Sequence, residues 1–357
     1  MLSWVKKSSL MSEGTLIFGA ILLGVAVLSF LVTGLFRSYA VSRLMDIPND
    51  RSSHTQPTPR GGGFGVIVAL TGGVFLVSRL GHLPPSLGFS LLWLLPLALV
   101  GFLDDHFNIP ARWRFLVQIT AAMISIGGLG ADGRFMLGGE VIDLGFMALP
   151  LSLLFIVWFL NLFNFMDGID GLEAVEAIFV LVASALLSGS LSAEGQFQPE
   201  AEVALIASAA VFGFLVWNWP PAKIFLGDIG SGPLGFLVAI LALYSVAQGS
   251  LTICLWLILS GVFVVDATFT LLVRFFRGER WFEAHRSHAY QHAAMRYGSH
   301  ARVTVMVTLI NLLWLLPMAF LARLNPEKEL WILAAAWLPL ILLASVFKAG
   351  SSGWEAA

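Results

Sequence analysis

The sequence predicts an all-α polytopic integral membrane protein, and three observations carry that prediction. Hydrophobic residues make up 58% of the 357 residues, whereas Asp, Glu, Lys and Arg make up only 12%, about half the roughly 25% usual in soluble domains. Mean hydropathy is +0.86. The apolar residues are gathered into runs near the roughly 20 residues that a bilayer-crossing helix needs. The same numbers exclude other classes. A disordered chain is more polar. A disulfide scaffold needs more than the single Cys254. A nucleic-acid binder shows a basic excess, and here 20 Lys and Arg face 22 Asp and Glu.

About eleven apolar runs follow one another. The first, 14–36, comes after Lys6 and Lys7 as in a signal peptide. It is too long for a signal core and no clear Ala-x-Ala site follows, so it is expected to be a retained span. The second, 62–78, opens on a glycine run. The third, 86–103, ends on two aspartates, and the fourth, 115–130, begins after Arg112 and Arg114. Runs 147–163 and 172–190 flank a polar segment, and 202–217 stops before Pro220-Pro221. Gly249 and Ser250 barely separate 232–248 from 251–273. The last two are 303–322 and 330–347. No period of 20–50 residues repeats, which excludes a solenoid. Residues 1–357 thus read as one transmembrane domain. Between the fourth and fifth runs, Phe135 to Ile142 alternate around Gly138-Gly139 and predict a small β-hairpin.

Placing the N-terminus outside and the C-terminus in the cytoplasm puts 14 of the 20 Lys and Arg on the inner side, as the positive-inside rule asks. These are Arg37, Arg43, Arg51 and Arg60, then Arg112 and Arg114, Lys223, Arg274, Arg277, Arg280, Arg286, Arg296 and Arg302, and Lys348. Lys6, Lys7, Arg79, Arg134, Arg323 and Lys328 fall outside, where the hairpin becomes periplasmic. Met11 as the start would remove the discordant Lys6 and Lys7. Loops 37–61, 104–114, 161–171, 218–231 and 274–302 then share the cytoplasmic face, and the unusual polar clusters all lie in them.

Asp104-Asp105 end a helix at the place where cations are preferred, and adjacent carboxylates repel unless a cation or a proton is near. From Asn161 through Asn164 and Asp167 to Asp170, polar residues recur at every third position, a spacing that keeps them on one drifting helix face. Gly168 and Gly171 allow a turn there. Asp170 with Glu173 reads more plainly as a capping pair, which leaves the two amides and Asp167 unexplained. Asp228 and Ser231 follow Phe225 in a glycine-rich loop. His285, His288 and His292 have the spacing of one helix face, with Arg286 beside them in the same loop. A zinc site would want cysteine nearby, so these residues read better as contacts to a diphosphate, or as a basic loop meeting anionic lipid. The run from Pro57 to Gly63, with Thr58 and Arg60, opens a span with glycines whose backbone N–H groups can approach phosphate. Asp266 lies deep in a span, where a charge is costly and often functional, or it pairs with Arg274. Several aspartates beside basic residues at a membrane face point to Mg²⁺-assisted phosphoryl chemistry, with the ion shared between carboxylates and substrate phosphates. A lipid-dissolved acceptor would explain the many spans. A transporter or lipid flippase is the alternative of another class, but it usually places ionisable groups near the midplane and shows inverted repeats.

Taken in order, Pro57-Thr58-Pro59-Arg60-Gly61-Gly62, Asp104-Asp105, Asn161-x-x-Asn164-x-x-Asp167-Gly168-x-Asp170-Gly171, Phe225-x-Gly227-Asp228-x-Gly230-Ser231 and the histidine loop resemble the polyprenyl-phosphate N-acetylhexosamine-1-phosphate transferases (glycosyltransferase family 4). That family includes undecaprenyl-phosphate GlcNAc-1-phosphate transferase and the phospho-MurNAc-pentapeptide translocase. The resemblance implies a bacterial inner-membrane enzyme, with a homodimer among its options, that takes a UDP-N-acetylhexosamine and undecaprenyl phosphate and releases UMP. It implies Mg²⁺, with Mn²⁺ as a substitute, at Asp228 and Asn164. It makes Asp104 the base toward the lipid phosphate, with Asp105 supporting it or the metal, and puts Asp167 in the polar network. Asp170 and Phe225 would hold uracil, Thr58 would lie in the substrate site, and His285, Arg286 and His288 would meet the sugar or diphosphate. The loop His285-Arg286-Ser287-His288 departs from the histidine patterns of the cell-wall translocase and of the GlcNAc branch. It looks more like O-antigen initiators that use UDP-FucNAc or UDP-QuiNAc, with UDP-GlcNAc the alternative donor. Asp-Asp-His-Phe-Asn also lacks the Lys that follows the pair in some members.

Overall fold

Hydrocarbon offers no partner to backbone N–H and C=O groups, so apolar runs satisfy them internally by forming helices. The computed structural model describes residues 2–48, 53–54, 56–130, 133–189, 197–279 and 285–351, with the side chains of the first helix from residue 14 onward. Arg51, Arg280 and the side chains of Lys6 and Lys7, counted above for topology, lie outside the described residues.

The chain runs through α1 (Leu2–Arg43), the short strands β1 (Met45–Asp46) and β2 (Thr58–Pro59), α2 (Gly63–Arg79), α3 (Pro85–Leu91), α4 (Leu94–Phe107) and α5 (Ala111–Leu129). The hairpin β3 (Arg134–Leu137) and β4 (Glu140–Asp143) precedes α6 (Ala148–Met166), α7 (Leu172–Leu187), α8 (Pro199–Asn218) and α9 (Asp228–Ala247). Then come α10 (Ile253–Leu259), α11 (Gly261–Phe276), α12 (Ala289–Tyr297), α13 (His300–Ile310), a π turn over Asn311–Leu315, α14 (Leu316–Leu324) and α15 (Glu329–Val346). Every expected run is thus helical and the protein is an all-α polytopic membrane protein. The hairpin forms as expected, with Gly138 and Gly139 at φ +63° and +80°, values that glycine adopts without strain.

The helix count differs from the expected eleven. Among the described residues seven helices are long and apolar enough to cross a membrane, or eight with α10 and α11 taken as one span. That pair, expected as a single run, is bent by 83°. Helices α2 and α7 have 17 and 16 residues, about 24–26 Å at 1.5 Å per residue, which is short of a hydrocarbon core of roughly 30 Å.

Helix α9 is the hub. It packs against α6, α4 and α2, while α8 packs against α1 and α7. Helices α4 and α6 end, and α2, α7 and α9 begin, at one end of the bundle, where every acidic motif collects. Small residues let the backbones meet there. A Cβ on Gly63 would strike the backbone of Gly230, and a Cβ on Gly230 would strike Gly63 in return.

Candidate active site

Two of the glycine N–H groups expected to be open to a phosphate are used inside the protein. Gly62 N and Gly63 N donate to the carbonyls of Phe225 and Leu226, each at 2.8 Å, and Phe225 N returns a bond to Pro59 O at 2.8 Å. These bonds hold the two motif segments side by side. The glycines are needed for close approach, and the ladder carries Phe225 and Asp228 to the acidic end.

Asp105 has become an anchor. It is buried, and its carboxylate accepts from Asp228 N and Ile229 N, both at 3.2 Å. It therefore satisfies the first donors of α9, where negative charge is favoured. Arg60 stands beside it, with Nε 3.5 Å from Oδ1 and Nη2 donating to the Asp105 carbonyl at 2.7 Å. Asp104 also turns inward. Its Oδ1 accepts from Ile109 N at 2.6 Å and its Oδ2 from Arg114 Nη1 at 2.5 Å. The same Arg114 nitrogen reaches Asp228 Oδ2 at 3.2 Å. Asn164 Nδ2 donates to Asp228 Oδ1 at 2.7 Å and to Ser231 Oγ at 2.9 Å.

Asp167 caps α6 beside these groups. Burial pushes its carboxyl up to about 8, the Asp228 and Asp105 charges add to that, and Glu173 and the Gly227 N–H pull the other way. Asp167 and Glu173 are two carboxyls facing each other, and among the described residues no donor reaches either Glu173 oxygen. Such a pair needs a proton or a cation between its members. The expected Asp170–Glu173 cap therefore does not form: α7 starts after Gly171 with no side-chain cap, and both acids serve elsewhere.

Asp170 belongs to a neighbouring cavity of about 680 Å³, whose lining includes Thr58, Asp170, Ala222, Phe225, Arg286 and His300. Its Oδ2 accepts from Ala222 N at 3.0 Å, and His300 Nδ1 lies 3.1 Å from Oδ1. Thr58 donates to Gln56 O at 3.1 Å. The histidines do not share a helix face. His288 is the N-cap of α12. His285 precedes it in the loop and stacks on it at 4.9 Å. His292 turns away to the Phe347 carbonyl at 2.7 Å. Burial, with His288 and Arg274 beside it, holds the His285 ring down to about 3, against the pull of Asp266. Asp266 does not pair with Arg274, which bonds Glu279 at 2.7 Å. It faces His288 instead.

Four carboxyls (Asp104, Asp105, Asp167 and Asp228) therefore meet two guanidiniums at one end of the bundle, beside a cavity of ligand size. Among the described residues no three His, Cys, Asp or Glu side chains form a protein-only metal cage. Arg114, Ser231, Glu173 and His300 were not singled out in the sequence as site residues, although Ser231 was noted beside Asp228. Arg114 reads there as an ordinary inner-side charge, and Glu173 as a cap.

Comparison with known proteins now decides the family. The model of glycosyl transferase family 4 matches residues 87–246. A probable undecaprenyl-phosphate N-acetylglucosaminyl 1-phosphate transferase of Bacillus subtilis (strain 168) is 31% identical over 269 residues, covering 74% of this chain and 73% of that protein. The chain belongs to glycosyl transferase family 4. Decaprenyl-phosphate N-acetylglucosaminephosphotransferase of Mycobacterium tuberculosis (strain CDC 1551 / Oshkosh) is 31% identical over 60% of this chain and 57% of its own length. A phospho-N-acetylmuramoyl-pentapeptide-transferase of Frankia casuarinae is 32% identical over 64% of this chain and 74% of its own. As a member of family 4 the protein is a sugar-phosphate transferase set in a membrane, which removes the transporter alternative. The family match spans the segments that carry Asp104, Asn164, Asp167, Asp170 and Asp228, and leaves Thr58 and the histidine loop outside.

Proposed function

We propose that this transferase moves an N-acetylhexosamine 1-phosphate from a UDP-sugar to undecaprenyl phosphate, on the cytoplasmic face of a bacterial inner membrane, and so initiates O-antigen or a related surface glycan. The observation that carries the reading is the carboxylate cluster around Asp228, set beside the cavity of Asp170 and Phe225. An oxygen of the lipid phosphate attacks the sugar-linked phosphorus of the donor. The bond from that phosphorus to the bridging oxygen breaks, and UMP leaves with the bridging oxygen. In this reading Asp104 takes a proton from the lipid phosphate once Arg114 yields it. Asp170 and Phe225 hold the base, while Arg286 and the histidines meet the diphosphate and sugar.

The donor set suits a hard cation shared with phosphate, because Mg²⁺ is usually held by one or two carboxylates and completes its shell with water and substrate. Asp228 and the Asn164 amide oxygen would hold it, and bound there it neutralises charge on the diphosphate. An apolar groove of about 500 Å³ between α6 and α11, lined by Leu151, Phe155, Trp158, Leu271 and Phe275, suits a prenyl chain.

The His285-Arg286-Ser287-His288 pattern favours UDP-FucNAc or UDP-QuiNAc as donor. The names of the Bacillus and Mycobacterium relatives favour UDP-GlcNAc as the second reading. The test is a transfer assay with purified protein, Mg²⁺ and undecaprenyl phosphate, offering each UDP-sugar separately and following UMP and the lipid product. One productive sugar names the donor, and exclusive use of UDP-GlcNAc overturns the deoxyhexose reading. Asp228→Asn should abolish Mg²⁺-dependent transfer in folded protein. Asp104→Asn should lower turnover more than donor binding. Full activity of Asp228→Asn would contradict the cation assignment.

A further inference from the structure

Asp266 is a buried charge in α11 that the transfer chemistry above does not use, yet four donors converge on it. Its Oδ1 accepts from Ala289 N at 2.9 Å and Thr270 Oγ1 at 3.1 Å, and lies 3.2 Å from His288 Nδ1. Its Oδ2 accepts from Tyr290 N at 2.9 Å. Capping α12 accounts for the two backbone bonds. It does not account for the His288 ring, which is buried, stacked on His285 at 4.9 Å and on Phe165 at 6.4 Å between ring centres. Tyr290 Oη donates to the Phe165 carbonyl at 3.0 Å, so this loop is tied to the end of α6 that carries Asn164 and Asp167. Among the described residues nothing bonds His288 Nε2.

The geometry points to Asp266 as a positioning residue that draws the proton of His288 to Nδ1 and so turns Nε2 toward the donor diphosphate. The inference rests on the transfer reading, in which His288 meets that group. Two arrangements compete for Nδ1, and they predict opposite tautomers. A reciprocal cap between His288 and Gln291 needs a lone pair on Nδ1 to accept from the Gln291 backbone. The carboxylate needs an N–H there, because a lone pair facing an anionic oxygen is repulsive. A carboxylate that orients a histidine sets both ring direction and tautomer, and its removal costs on the order of 10-fold to 100-fold or more in function.

The experiment uses full-length protein in nanodiscs, labelled with ¹⁵N at histidine, together with transfer kinetics. Wild-type His288 should carry its proton on Nδ1, and Asp266→Asn should change that signal. Asp266→Asn should lower kcat at least about tenfold with KM for the UDP-sugar changed far less, and Asp266→Glu should recover part of the loss. The double variant Asp266→Asn with His288→Gln should be no slower than His288→Gln alone, since Asp266 acts through that ring. An Nε2–H tautomer in the wild type, or additive losses in the double variant, would show a cap alone and overturn the inference. If Asp266→Asn fails to fold, the wild-type tautomer and the His288→Gln kinetics still decide it. If wild-type protein releases no UMP from any UDP-sugar, the transfer reading has failed while the tautomer still reports on the pair. If the wild type turns over, Asp228→Asn is dead and Asp266→Asn is unimpaired, the inference alone has failed.

Discussion

Asp104 and Asp228 share one guanidinium nitrogen: Arg114 Nη1 lies 2.5 Å from Asp104 Oδ2 and 3.2 Å from Asp228 Oδ2. Two carboxylates so close would otherwise repel, and the shared Arg114 nitrogen holds them apart in a fixed arrangement. Arg114→Ala should lower turnover at least about tenfold, in line with the loss of a group that orients reacting residues. Arg114→Lys should restore only part, because an ammonium lacks the planar fork. The fold should lose stability too, because Arg114 is 37% exposed but the Asp104 side chain only 9%, and a buried carboxylate left without its partner is costly. Transfer kinetics beside thermal unfolding check both halves, and undiminished turnover of Arg114→Ala would sink the assignment.

His285 supplies a pH prediction of definite sign. Its ring is held down to about 3 in the fold, against about 6.5 when free. The unfolded chain therefore binds more protons between these values, and stability falls as pH drops from about 6.5 toward 3. His285→Gln should flatten that loss. The acid limb of the rate profile near pH 6 should be the same in His285→Gln as in the wild type, because His285 is already neutral there. A limb that moves with the substitution would contradict the burial argument.

Asp167 predicts the opposite slope. With the carboxyl raised to about 8 from about 3.9, the fold binds the extra proton, and its stability is lost as pH rises through that window. In chelator, the unfolding temperature of Asp167→Asn should fall less between pH 5 and pH 8 than that of the wild type, the difference being the Asp167 contribution. Unfolding curves of the two proteins at several pH values check this, and parallel pH dependence would rule it out.

Class and hairpin were legible in the sequence because both signals are local: apolar runs of bilayer length, and Gly138-Gly139 between alternating residues. The acidic motifs were legible as a group because each ends or begins a run on the same side. Their bonding was not. Nothing near Asp105 in the chain announces that it will hold the start of α9, and Arg114 looks like any inner-side charge. Asp266 met His288 rather than Arg274 because the loop folds back onto α11, a tertiary event that helical spacing does not report. The bend between α10 and α11 was hidden because an apolar run keeps its hydropathy through a change of direction.

Glu176 and Asn311 give a last prediction, this one about stability. Asn311 opens the π turn that interrupts the helix after α13, and its Nδ2 donates to Glu176 Oε2 at 2.6 Å, with both residues 0% exposed. The other oxygen of each, Glu176 Oε1 and Asn311 Oδ1, has no partner among the described residues. The pair is therefore half-satisfied, and the sign of a substitution depends on whether one partner or both are changed. Asn311→Leu strands a buried carboxyl and should cost about 2–3 kcal/mol. Replacing Glu176 and Asn311 together by leucine removes all the stranded atoms. The double variant should then unfold at or above the wild-type temperature, as when buried polar pairs give way to apolar packing. Thermal unfolding of the two variants in detergent decides it. A double variant less stable than Asn311→Leu alone would mean that the pair holds the π turn for a reason other than its own hydrogen bond.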